Sequence, residues 1–78
     1  MPTVLRLGPY RFFFYANDRS EPVHVHVRNE GAEAKFWLEP VRLAWSRGFA
    51  PHELRRLERL VKPNSRALMD GWHDYFEA

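Results

Sequence analysis

Cysteine is missing altogether from this chain of 78 residues, which excludes a disulfide framework and any thiolate metal site. The usual small secreted scaffold is thereby disfavoured, and a reducing compartment fits. No apolar run approaches the ~20 residues that span a bilayer, and no signal-peptide core follows Met1. Glycine is scarce, at four residues, and none belongs to a glycine-rich phosphate loop. No repeat or low-complexity linker divides the sequence. The chain reads as a complete cytoplasmic protein of one domain, residues 1–78, with no membrane partner.

Aromatic residues, by contrast, are plentiful at 15% of the chain. A domain this small buries only roughly 60% of the surface its unfolded chain exposes, and aromatic rings supply large buried area per residue. The net charge is +2, with the excess in the second half: residues 1–40 hold five basic and five acidic side chains, residues 41–78 seven and five. That imbalance suits an anionic partner or a solvated helix.

Segments rich in β-branched and aromatic residues occupy Thr3 to Leu7, Tyr10 to Ala16, Val23 to Arg28 and Glu33 to Leu38, separated by Gly8-Pro9, a polar loop from Asn17 to Pro22, and Glu30-Gly31. A short fifth strand, Val41 to Trp45, follows Pro40. If Glu30-Gly31 is a two-residue hairpin loop, Val27 opposes Ala34, Val25 opposes Phe36, Val23 opposes Leu38 and Arg28 opposes Glu33. A one-residue slip would turn each apolar set to the wrong face. The run Phe12, Phe13, Phe14, Tyr15 marks the second strand as buried on both faces.

From Pro51 the apolar period changes from two to about three and a half, through Leu54, Leu57, Val61, Leu68, Trp72 and Tyr75. This predicts an amphipathic helix, with Pro51 and Glu53 suited to its first turn. Pro63 predicts a kink or split, although the stripe keeps phase across it. The expected fold is therefore α+β: an antiparallel sheet of four to five strands, followed by a C-terminal helical segment kinked or split near Pro63 and packed on one sheet face. Trp72, Tyr75 and Phe76 are expected in the core; a ring left projecting would form a patch for a partner or a homodimer.

Two surfaces offer chemistry. His24 and His26 share one strand face at roughly 6.5–7 Å, a spacing from which both imidazoles reach one ion. Zinc or a related divalent metal is the natural ligand, with Asp18, His52 or His73 as further donors. The alternative is a pair of half-exposed histidines beside Lys35 and Trp37, and the Lys35 ammonium would repel a cation. As catalytic groups, His24 or His26 would serve as general base, with Arg28 and Lys35 holding an anionic substrate. A histidine-triad nucleotide hydrolase would need histidine where Arg28 stands. The second surface is a basic ridge: at ~100° per residue, Arg55, Arg59, Lys62 and Arg66 share one helix face, flanked by Arg56. It offers contacts to RNA phosphates or an acidic partner, and Glu58 and Asp70 partly neutralise it.

Phe14-Tyr15-Ala16-Asn17-Asp18, Pro22-Val23-His24-Val25-His26-Val27, Ala34-Lys35-Phe36-Trp37-Leu38, Gly48-Phe49, Glu53-Leu54, Asn64 and Trp72 together resemble the bacterial Domain of Unknown Function 4160 family. Family members tend to have serine where this chain has Ala16, and proline where it has Glu21. The resemblance implies a small stand-alone bacterial domain encoded beside a second small protein, similar to toxin–antitoxin gene pairs. The leading expectation is accordingly an interaction protein of such a two-gene module. A metal-dependent or histidine-based hydrolase or nuclease using His24 and His26 is the alternative, and a nucleic-acid-binding module using the helix ridge the third.

Overall fold

Five strands and one long helix account for about three quarters of residues 3–77, which the computed structural model describes. The strands are β1 (Thr3–Leu7), β2 (Tyr10–Phe13), β3 (His24–Asn29), β4 (Ala32–Leu38) and β5 (Val41–Arg47), and they form one open antiparallel sheet in chain order. A short 3-10 helix, Ala16–Ser20, occupies the polar stretch between β2 and β3, and α1 runs from Pro51 to Glu77. The second strand stops at Phe13, three residues short of the expected end, because Ala16 already belongs to the 3-10 helix.

The β3–β4 hairpin has the expected register: Val25 opposes Phe36, Val27 opposes Ala34 and Arg28 opposes Glu33. Leu38 donates its backbone N–H to the Val23 carbonyl at 3.1 Å, which extends the alignment past the strand end. The pairing sorts the side chains by face. Phe12, Val25, Val27, Ala34 and Phe36 are completely buried on the face that α1 covers, where they meet Leu57, Val61 and Leu68. Removing each large side chain of this set from water contributes about 1.5–3 kcal/mol. Phe13, which opposes His26, belongs to the other face, so β2 is indeed buried on both sides.

One helix runs unbroken through Pro63. Pro63 has no N–H for the Arg59 carbonyl, and beside this gap the Asn64 side-chain amide donates to the Leu60 carbonyl at 2.8 Å. The phase of the stripe explains the continuity, because Leu57, Val61, Leu68, Trp72 and Phe76 all lie on the buried side. Tyr75 does not: it is 42% exposed, and Phe76 takes the core position assigned to it, since four residues separate Trp72 from Phe76 along one helix face. Close packing of the last third of α1 depends on Gly71, where a Cβ would lie 2.6 Å from Val4 Cγ1. Among the described residues no helix is long and apolar enough to cross a membrane.

Candidate functional site

The sheet face turned away from the aliphatic core is not simply solvent-facing. The 3-10 helix folds over it and presents Asp18 to the two histidines of β3. Asp18 Oδ2 lies 3.1 Å from His24 Nε2 and 3.1 Å from His26 Nε2. The three donor atoms, one from each residue, all fall within 4.8 Å of one another. Orientation follows from strand alternation: Val25 and Val27 point into the core, so His24 and His26 must point to the opposite side. Their expected half-exposure is corrected by the structure. His24 is 0% exposed and His26 4%, because aromatic rings and the 3-10 helix close over them. Trp72 packs against His24 with ring centroids 4.9 Å apart, Trp37 contacts it at 5.6 Å, and Tyr15 and Phe13 contact His26 at 4.5 and 5.6 Å.

His24 and Asp18 are held from behind by hydrogen bonds, and His26 has a carboxylate behind it. His24 Nδ1 is 2.8 Å from the Pro22 carbonyl, an atom that can only accept, so Nδ1 carries the hydrogen. His26 Nδ1 faces Glu33 Oε2 at 3.5 Å. The Tyr15 amide donates to Asp18 Oδ2 at 2.8 Å and fixes the carboxylate over the sheet. Glu33 is the hub of the surrounding network, accepting from Arg28 at 2.7 Å and from the Tyr15 hydroxyl at 2.9 Å. Burial works to raise its carboxyl pKa, but the bonds from Arg28 and Tyr15 override it and hold Glu33 below the ordinary carboxylate range. Burial pushes the His26 imidazole below its usual value, against the pull of Asp18, and so favours the neutral ring.

Of the residues singled out in the sequence, Asp18, His24 and His26 come together, whereas the other proposed donors do not. His52 is exposed on the first turn of α1, and His73, also exposed, pairs with Glu77 at 2.6 Å. Arg28 and Lys35 share the imidazole face, but both are committed: Arg28 to Glu33, and Lys35 to the Glu21 carboxylate, with its ammonium 4.5 Å from the Trp37 ring centroid. The basic residues of α1 form an exposed row, and none of them makes an ion pair or hydrogen bond with the histidine cluster. Lys62 pairs with Glu58 at 3.0 Å and Arg66 with Asp70 at 3.6 Å, leaving Arg55, Arg56 and Arg59 without an acidic partner among the described residues. A surface hollow is lined by Arg55, Glu58, Arg59 and Lys62, and another lies around Gly31, Gly48 and Phe49; neither includes His24 or His26.

The sequence did not reveal the rim of this face. β5 pairs only with β4, so its outer backbone edge is open among the described residues. Leu43 opposes the core residue Phe36 and Trp45 opposes Lys35, which sends these two side chains to opposite faces, 37% and 39% exposed. A register irregularity between Lys35 and Phe36 makes this possible. Arg42 and Arg47 are also exposed, and the strand has no acidic residue. The only signal available beforehand was the acid-free composition of this segment; that it is an edge is decided by pairing order.

The family model described as Domain of unknown function (DUF4160) matches residues 10–73, which include Asp18, both histidines, β5 and Trp72. No curated protein and no solved structure matches the chain. The chain belongs to the DUF4160 family.

Proposed function

We propose that this member of the DUF4160 family is a small interaction protein, one component of a two-gene, toxin–antitoxin-like module in the cytoplasm, and that it captures an extended acidic segment of its partner along β5. The observation that carries this reading is the open edge of β5, where Leu43 and Trp45 stand exposed on opposite faces of one strand. Strand addition covers both at once, because the added strand places side chains alternately above and below the sheet while its backbone fills the vacant hydrogen bonds. A nucleic-acid strand lying on one face would cover Trp45 and leave Leu43 in water. Charge favours an acidic occupant over a second copy. Antiparallel pairing of two β5 strands would bring four arginines, Arg42 and Arg47 from each, onto one ribbon whose strands hold no carboxylate, with only Glu33 of β4, 3.9 Å from Arg47 and already bonded to Arg28, to offset them.

The hydrolase reading has less support. The imidazoles are sealed, and Arg28 and Lys35 already neutralise carboxylates, so neither is free to hold an anionic substrate. The test of the interaction reading is co-expression with the neighbouring gene's protein, followed by hydrogen exchange of the purified complex. We expect a complex in which amides from Arg42 to Arg47 slow, and its loss in the R42E/R47E double variant. No complex, self-association through β5 alone, or a complex indifferent to charge reversal would overturn the reading.

A further inference from the structure

We propose that Asp18, His24 and His26 form a binding site for a single divalent transition-metal ion, with zinc as its best-suited occupant. The inference begins with hydrogen bookkeeping. The Pro22 carbonyl requires a hydrogen on His24 Nδ1, so the neutral ring turns a bare lone pair from Nε2 toward a carboxylate oxygen 3.1 Å away. His26 repeats the arrangement, its Nδ1 beside the Glu33 carboxylate and its Nε2 at 3.1 Å from the same Asp18 oxygen. Acceptors facing one another in a buried place repel, and buried polar atoms are rarely left that way.

Adding protons turns the repulsion into ion pairing but leaves the hydrogen bonds unmade. His24 Nε2, His26 Nε2 and His26 Nδ1 are all buried without a hydrogen-bond partner, despite the nearby carboxylate oxygens. At 3.1 Å the heavy atoms are close enough, so direction is what fails: a hydrogen on either Nε2 does not line up with Oδ2. An ion shared by the three atoms has no such requirement. With metal–ligand bonds of about 2.05 Å, a nitrogen–oxygen separation of 3.1 Å subtends about 98° at the metal, between the octahedral and tetrahedral angles, and within the 4.8 Å span of the three atoms the two imidazole nitrogens would draw to within about 4 Å of each other on binding.

The surroundings are those a metal site needs. A ligating imidazole commonly gives its other N–H to a backbone carbonyl or a carboxylate; the Pro22 carbonyl accepts from His24, and the Glu33 carboxylate stands 3.5 Å from His26 Nδ1, within a small shift of bonding it. The Tyr15 amide orients the aspartate. Lys35, whose ammonium would repel a cation, is drawn off to Glu21, so the objection raised by its position on the strand is answered by its ion pair. Two imidazole nitrogens and one carboxylate oxygen suit zinc and related ions, whereas magnesium and calcium favour oxygen alone. Because aromatic rings bury the cluster, the ion would tie the 3-10 helix to β3 and would not meet a substrate. This role is independent of the interaction proposed for β5.

The experiment is a titration of zinc into the chelator-stripped full chain, followed by calorimetry. One equivalent is expected to bind. D18N and H26Q should each weaken binding by more than about tenfold, while H52Q and H73Q leave it unchanged. Circular dichroism in chelator identifies any variant that fails to fold. Cobalt added to the unaltered chain gives a second readout: a visible ligand-field band that one equivalent of zinc removes. Absence of that band, no stoichiometric zinc, or a loss of binding that follows His52 or His73 would overturn the proposal.

Discussion

Gly71 precedes Trp72, the ring that closes over His24, and replacing it by alanine sets two effects of opposite sign against each other. In a helix interior alanine is favoured over glycine by about 1 kcal/mol. The new Cβ, however, would lie 2.6 Å from Val4 Cγ1, well inside the ~3.5–4.0 Å at which carbon atoms rest. Forcing extra carbon into a packed contact costs about 1–3 kcal/mol. Val4 is β-branched, tied to β1 and unable to swing freely, so repulsion should win, with a net loss of up to about 2 kcal/mol. In a V4A background the nearest remaining atoms are Val4 Cβ at 3.8 Å and Phe14 Cε2 at 3.9 Å, which are ordinary contacts. There G71A should stabilise by about 1 kcal/mol, a rise of about 4–8 °C in Tm for a chain of this size. Thermal and urea unfolding of the four members of this cycle, in chelator, measure the reversal. Stabilisation by G71A in the unaltered background would refute the packing of α1 against β1 described here.

P63A should raise stability by up to about 3 kcal/mol, because it restores an N–H to the Arg59 carbonyl in a helix that already continues through this position; a fall in urea midpoint would contradict this. Glu33 has a folded pKa below its unfolded one. Its contribution is therefore present above the unfolded value of about 4.3 and is lost as pH falls through the lower folded value, so E33Q should be less stable at neutral pH and show a flatter acid limb in metal-free unfolding curves. R42E/R47E should change stability of the isolated chain by less than about 1 kcal/mol, since both residues are exposed and the single ion pair lost, Arg47 to Glu33 at 3.9 Å, is screened by solvent; a larger loss would assign them a structural task. W72A should cost about 3–5 kcal/mol, read by urea unfolding, as its ring fills the junction of Phe14, Phe76 and His24.

Much of the sheet was legible because its information is local. The β3–β4 register followed from a two-residue loop and the alternation of valine with histidine, and one slip would have misplaced every side chain. The helix followed from its period, but the split allowed for at Pro63 does not occur, and period alone chose Tyr75 where packing chose Phe76. Asp18, His24 and His26 were grouped in the sequence by strand spacing and loop proximity. Their depth was not readable, because it comes from Trp72, nearly fifty residues beyond His24, and from a 3-10 helix in a stretch that reads as a polar loop. The role of Glu33 was visible only as a cross-strand partner for Arg28; its reach to Tyr15 and His26 requires the fold. The exposed edge of β5 depends on the order of all five strands, which no segment encodes alone.

The buried imidazole pair is most directly examined by nitrogen-15 NMR of the histidine side chains, before and after one equivalent of zinc. Both rings should hold hydrogen on Nδ1 throughout, with the Nε2 signals of His24 and His26 moving together to metal-bound positions while His52 and His73 stay in place. Hydrogen resident on Nε2 of either buried ring, or zinc-dependent shifts at His52 or His73 instead, would contradict the geometry on which the metal site depends.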